Sequence, residues 1–182
     1  MPLGPTLETD RLILRPPAAE DFEGWAAFAN DPHTMHFLGG VVPRSTAWRS
    51  FASMVGAWHL KGFAMFSVIE KSSGRWIGRL GTWEPEGWPG TEVGWGLVSD
   101  AEGKGYATEG AAATIDWAFD TLGWDQVIHT IDAANAASKA VASRLGSYYM
   151  RQDRLPAPAD IEIEVWGQTR DEWMARRKAS AQ

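Results

Sequence analysis

The stretch EVGWGLVSDAEGKGYATEG, residues 92 to 110, runs from an apolar segment through a glycine-punctuated turn into an amphipathic one, an order suited to gripping an anion with main-chain atoms. A helix beginning near Gly105 leaves its first N–H groups without intrahelical partners, and its dipole adds partial positive charge there. Gly103 and Gly105 carry no Cβ, so a phosphate can approach the backbone closely. The spacing matches neither of two familiar phosphate loops. A P-loop places Lys and then Ser or Thr after its second glycine, where Tyr106 and Ala107 stand here. A dinucleotide fingerprint needs a third small residue where this chain has Thr108.

The elements around this loop follow from periodicity. Ala111, Ile115, Ala118, Phe119 and Leu122 fall on one helical face, with Glu109, Asp116 and Asp120 on the other. TDRLILR (9 to 15) alternates like a strand, and Phe22, Trp25, Ala26 and Ala29 share a face of the helix expected next. Ser45 is placed to cap a second helix bearing Trp48, Phe51, Ala52 and Val55. FAMFSVIE, RWIGRLGTW and TEVGWGLV follow as three strands joined by short turns, which implies antiparallel pairing. The glycine-loop helix then leads to DQVIHTI (125 to 131), a crossover that favours parallel pairing of the strands it joins. Gly94 and Gly96 mark a bulge or a close backbone approach in the fourth strand.

Composition bounds the class of protein. A chain of 182 residues suits one domain, 1 to 182 with a core of about 8 to 175, and its 45% hydrophobic and 22% charged content is ordinary for a globular protein. Neither a membrane span nor a signal peptide is indicated, so a cytoplasmic location is expected. Zero cysteines exclude disulfides, thiolate metal sites and a cysteine-bound acyl intermediate, and no metal is expected. A net charge of -6 tilts against nucleic acid and suits a cationic substrate. The eleven tryptophans suggest an aromatic-lined core or groove.

Four segments together resemble the GNAT superfamily of acetyl-CoA-dependent N-acetyltransferases, in its ribosomal-protein-alanine branch. These are ETDRLILRPPAAEDFEGWAAFANDP (8 to 32), the glycine segment above, NAASKAVASRLG (135 to 146) and IEIEVWGQTRDEW (161 to 173). The resemblance implies an α+β (α/β three-layer) fold: a mixed, mostly antiparallel sheet of about seven strands with helices on both faces. Strands four and five would splay to admit the pantetheine arm of acetyl-CoA. Where relatives often carry Gln or Arg three residues before the first signature glycine, this chain has Asp100, and where they read Leu-Gly-Phe it reads Leu145, Gly146, Ser147.

The resemblance also implies site residues. Backbone N–H groups around Leu97 and Val98 would meet the thioester carbonyl, and main-chain groups of Gly103, Lys104, Gly105, Tyr106, Ala107 and Thr108 would hold the pyrophosphate. Of the cations Lys104, Lys139 and Arg144, Arg144 ranks first as a phosphate partner. Asn135 and Ser138 occupy the Asn-x-x-Ser positions that face pantetheine and sulfur; Ser138 is the first choice of general acid, and Asn135 can also cap its helix. Tyr148 or Tyr149, whichever points inward, is the second choice of acid.

Glu92 is the candidate base, with Glu84 and Glu86 as substitutes for it or as binders of a cationic substrate. His129 reads as packed or hydrogen-bonded, whereas His33 and His36 either line the acceptor site or lie on the surface. Trp83 and Trp88 would form either an acceptor wall or a homodimer contact.

Direct transfer needs a free-base amine. At pH 7 an α-amine with pKa near 8 is roughly 10% free base, and a lysine side chain only about 0.04%. That gap, roughly 3 kcal/mol, favours a protein N-terminal α-amine or a small-molecule amine as acceptor. The alternative is a non-catalytic acyl-CoA sensor or scaffold, since cofactor recognition here rests on backbone atoms.

Overall fold

The computed structural model describes residues 3 to 180. Its sheet is built from β1 (Leu7–Glu8), β2 (Leu12–Arg15), β3 (Met65–Glu70), β4 (Trp76–Trp83), β5 (Glu92–Leu97), β6 (Gln126–Ile131), β7 (Tyr148–Arg154) and β8 (Glu162–Thr169). The helices are α1 (Phe22–Ala29), α2 (Arg44–Lys61), α3 (Tyr106–Asp120), α4 (Ala136–Leu145) and α5 (Arg170–Ser180). The strands are ordered β1-β2-β3-β4-β5-β6-β8-β7, and among the described residues only the β5–β6 pair is parallel. The eighth strand is the two-residue β1, which the alternation of residues 9 to 15 does not signal because Thr9 to Arg11 turn between β1 and β2.

Two helical layers cover the sheet. Phe28 of α1 reaches Gly96 on one face, and Gly110 of α3 packs against Leu80 and Leu12 on the other. A Cβ at Gly110 would lie 3.0 Å from Leu80, so glycine there lets the helix seat closely. Ala111, Ile115, Ala118 and Phe119 are buried as the helical spacing predicts. The second helix begins two residues earlier than expected: Pro43 occupies the cap, with its fixed φ of -65°, and Ser45 lies inside the first turn.

The bulge expected at Gly94 and Gly96 is absent, because β4 and β5 pair without interruption from Gly78↔Leu97 to Trp83↔Glu92. Close approach is the reason for both glycines. A Cβ at Gly94 would come within 2.9 Å of Met65 Cε, and one at Gly96 within 3.0 Å of Phe28 Cζ.

Candidate active site

The site is a gap in the sheet. β5 and β6 touch at a single register pair, Glu92↔Ile128, where the Ile128 N–H donates to Thr91 O at 2.9 Å. Beyond that point the strands part, and side chains replace the missing ladder. Glu92 Oε1 accepts from Thr130 N–H and from Thr130 Oγ1, both at 2.9 Å. His129 Nδ1 lies 2.6 Å from Val93 O. These contacts satisfy main-chain groups that the divergence would otherwise strand, at a cost of roughly 1–3 kcal/mol each.

The phase of the β4–β5 ladder decides which main-chain donors face the gap. Val98 N–H donates to Ile77 O at 2.9 Å, so its donor is already committed and cannot meet a ligand, contrary to the expectation from sequence. Antiparallel strands alternate, so the neighbouring N–H of Leu97 turns away from β4 and toward the gap.

A cleft of about 1100 Å³ opens on this gap, bounded by β5, the start of α3, α4 and the loop 32 to 38. Gly103 and Gly105 have φ of +71° and +83°, a backbone conformation that favours glycine. Gly105 is the N-cap of α3, and no side chain caps that helix, so the N–H groups of Tyr106, Ala107 and Thr108 remain available to an anion. Trp95, Leu97 and Val141 supply apolar wall, and Arg144 lines the cleft beside Asn135 and Ser138. Thus the glycine loop, Arg144 and the Asn-x-x-Ser pair, far apart in sequence, meet in one space of a size and character that fits a long phosphate-bearing ligand. Lys104 does not line the cleft; its main-chain carbonyl accepts from Arg11 Nη1 at 2.9 Å. Lys139 is paired with Glu164 at 3.0 Å, and Asp100 with Arg75 at 2.8 Å.

A second cavity of about 260 Å³ lies beyond the first and shares Phe37, Leu38, Trp95, Asn135 and Ser138 with it. Asn135 Oδ1 accepts from Ser138 N–H at 3.0 Å, which caps α4 and fixes Ser138 in its first turn. Trp95 Nε1 donates to Ser138 Oγ at 3.3 Å, leaving the hydroxyl hydrogen free to point elsewhere.

Glu92 sits in the second cavity and is buried, not a strand-edge carboxylate in water. Burial pushes its carboxyl above the usual carboxylate range, against the bonds from Thr130 and from Trp88 Nε1, the latter at 2.5 Å. Trp83 and Trp88 form a wall of this cavity, their rings edge-to-face at 6.4 Å. Sequence reasoning had no signal for Trp88 and Thr130 as partners of Glu92, because one arrives from a loop and the other from a separate strand.

His129 is buried between Val93 O and Ser147 Oγ, 2.9 Å from the latter, and burial lowers its pKa to about 4. The network assigns a neutral ring with hydrogen on Nδ1, since Val93 O can only accept. His33 and His36 line the first cleft, and His33 Nε2 lies 2.9 Å from Glu102. The hydrogen bond to Glu102 raises the pKa of His33.

Tyr148 stands apart. It is on β7, the outer strand of the sheet, and its hydroxyl reaches Glu172 at 3.3 Å, so it lines neither cavity. Tyr149 packs against Trp166 with centroids 6.4 Å apart and is equally remote. The expectation of an acid from this pair fails because β8 inserts between β7 and β6. Glu84 pairs with Lys61 at 3.1 Å, and Glu86 is exposed outside both cavities. Among the described residues, no three His, Asp or Glu are grouped to hold a metal, and no helix is long and apolar enough to cross a membrane.

Comparison with known proteins bears on this geometry. Residues 11–147 match the family model described as "Acetyltransferase (GNAT) domain". The crystal structure of an acetyltransferase from Agrobacterium tumefaciens superposes with a TM-score of 0.79 at 34% identity, covering 91% of this chain and 95% of that one. A ribosomal-protein-S5-alanine acetyltransferase from Vibrio fischeri shares the fold at TM-score 0.73 and 19% identity, covering 93% and 98%. Among curated sequences, the FsC-acetyl coenzyme A-N(2)-transacetylase of Aspergillus fumigatus is 29% identical over 97% of this chain and 81% of its own length.

Proposed function

Because this chain belongs to the GNAT family of acetyl-CoA-dependent acetyltransferases, we propose that it moves an acetyl group directly to a primary amine that enters through the second cavity. The acceptor is a small-molecule amine or a protein N-terminal α-amine. The observation that carries this reading is the meeting of the two cavities at Ser138 and Trp95, with Glu92 on the acceptor side.

When bound in the larger cleft, acetyl-CoA supplies an activated acetyl thioester. The first-turn N–H groups of α3 and the Arg144 guanidinium hold its phosphates. The N–H of Leu97 donates to the carbonyl oxygen, where negative charge grows during attack. Glu92 takes the proton from the incoming ammonium, and its raised pKa brings it nearer to that of an α-amine. Ser138, held by Trp95 and by the Asn135 cap, turns its O–H toward the departing sulfur. The zero cysteine content agrees with direct transfer and no acyl-enzyme on a thiol.

The test is release of free CoA measured against a panel of small amines and N-terminal peptides. Amine-dependent release supports the reading. Binding of acetyl-CoA with no release for any amine would leave a domain that binds the thioester without catalysis.

A further inference from the structure

One cation in the second cavity makes no close ion pair, although it feels the charge of Glu92 across the cavity. Arg79 lines that cavity and is half-buried. Its guanidinium lies over the rings of Trp25 and Phe28 at 5.7 and 5.8 Å, and Nη1 touches Met65 Sδ. Among the described residues no carboxylate forms an ion pair with it. A guanidinium has five N–H donors and stays charged, and a thioether is a weak acceptor, so most of that donor capacity is unspent. A half-buried charge in this condition is costly unless an anion or water answers it.

Strand register places Arg79 relative to the base. Arg79 pairs with Gly96, Gly81 with Gly94, and Trp83 with Glu92, so the cation and the carboxylate share one face of the sheet. Three glycines between them carry no side chain into that face. The cavity thus holds one cation, Arg79, and two carboxylates, Glu92 and Asp132, with Arg79 and Glu92 four residues apart along the ladder and apolar wall from Trp83, Trp88 and Ile163. Its volume of about 260 Å³ is below the range of about 300–1,000 Å³ usual for drug-sized ligands.

We propose that the acceptor is a small primary amine that also bears a carboxylate and an apolar side group, an amino-acid-type molecule whose carboxylate is bound by Arg79 while its amine faces Glu92. The charges then match at both ends, and the tryptophans receive the apolar group. A protein N-terminus is disfavoured, because its first carboxyl is an uncharged amide. This rests on the second cavity being the acceptor site.

The experiment compares L-phenylalanine, L-tryptophan and L-methionine with their amides and their decarboxylated amines, by CoA release and by calorimetric binding to CoA-saturated protein. Wild type should favour each free acid by tenfold or more in kcat/KM and in Kd. Arg79→Gln should erase that preference, the free acids losing at least tenfold more than the amides and plain amines, and Arg79→Lys should restore part of it. If Arg79→Gln does not fold, the wild-type ranking decides alone. Equal use of acids and amides, equal losses for both in Arg79→Gln, or no binding of any free acid would overturn the proposal. Tighter binding of the acids with no CoA release would keep the carboxylate site and overturn the acetyl-transfer reading instead.

Discussion

Trp95 Nε1 on β5 lies 3.3 Å from Ser138 Oγ on α4, and this contact joins the two walls of the cleft where β5 and β6 part. The indole occupies one lone pair of the hydroxyl and leaves its hydrogen available as a donor. Ser138→Ala should lower kcat by roughly 10²-fold, within the range for loss of a general acid, with little change in CoA affinity. Trp95→Phe keeps the wall, removes the donor, and should lower kcat less. Steady-state rates beside CoA titrations check both.

With Glu92 as the proposed base, the pH dependence of turnover should follow its carboxyl. Its carboxyl is raised by burial, so the rising limb of kcat/KM against pH should lie above the usual carboxylate range. Glu92→Gln should abolish that limb and cost roughly 10²-fold or more in turnover. The linkage to stability has a definite sign: the folded protein holds this proton more tightly than the unfolded chain. The associated stability is present below the unfolded pKa and declines as pH rises through the raised folded pKa.

His129 works in the opposite direction. Its folded pKa of about 4 lies below the unfolded value of 6.5, so the unfolded chain takes up the proton first as pH falls. Between pH 7 and pH 5 this should remove about 2 kcal/mol of stability. In His129→Gln that drop should shrink by the same amount, read from urea denaturation at the two pH values.

Gly105→Ala tests the phosphate cradle. At φ +83° a side chain costs about 1–2 kcal/mol, whereas the nearest atom to the new Cβ, Arg11 Nη2, is at an ordinary 3.4 Å. The penalty is therefore conformational. The melting midpoint should fall by roughly 2–8 °C, and CoA should bind at least tenfold more weakly as the first turn of α3 shifts.

Tyr148→Phe is the complementary case. Among the described residues the hydroxyl bonds only to Glu172, at the edge strand, so turnover should stay within about twofold of wild type and stability within about 1 kcal/mol. A large loss of kcat would contradict the placement of Tyr148 outside the site.

The sequence alone determined the parts of this protein that rest on local backbone chemistry. Gly103 and Gly105 are legible because their left-handed conformation and the uncapped helix after them depend on neighbours within a few residues. The Asn135 cap that fixes Ser138 is legible for the same reason. Tertiary structure decided what depends on phase and on distant partners. Val98 loses its donor to Ile77 and leaves Leu97 for the ligand because strand pairing alternates, a fact set by the β4 register. Glu92 becomes a buried carboxylate only because Thr130 and Trp88 converge on it. Tyr148 is excluded by β8, and Arg79 gains its place in the second cavity from its pairing with Gly96. A side chain's chemistry is set by its field and its neighbours, and in a sheet those neighbours come from other strands.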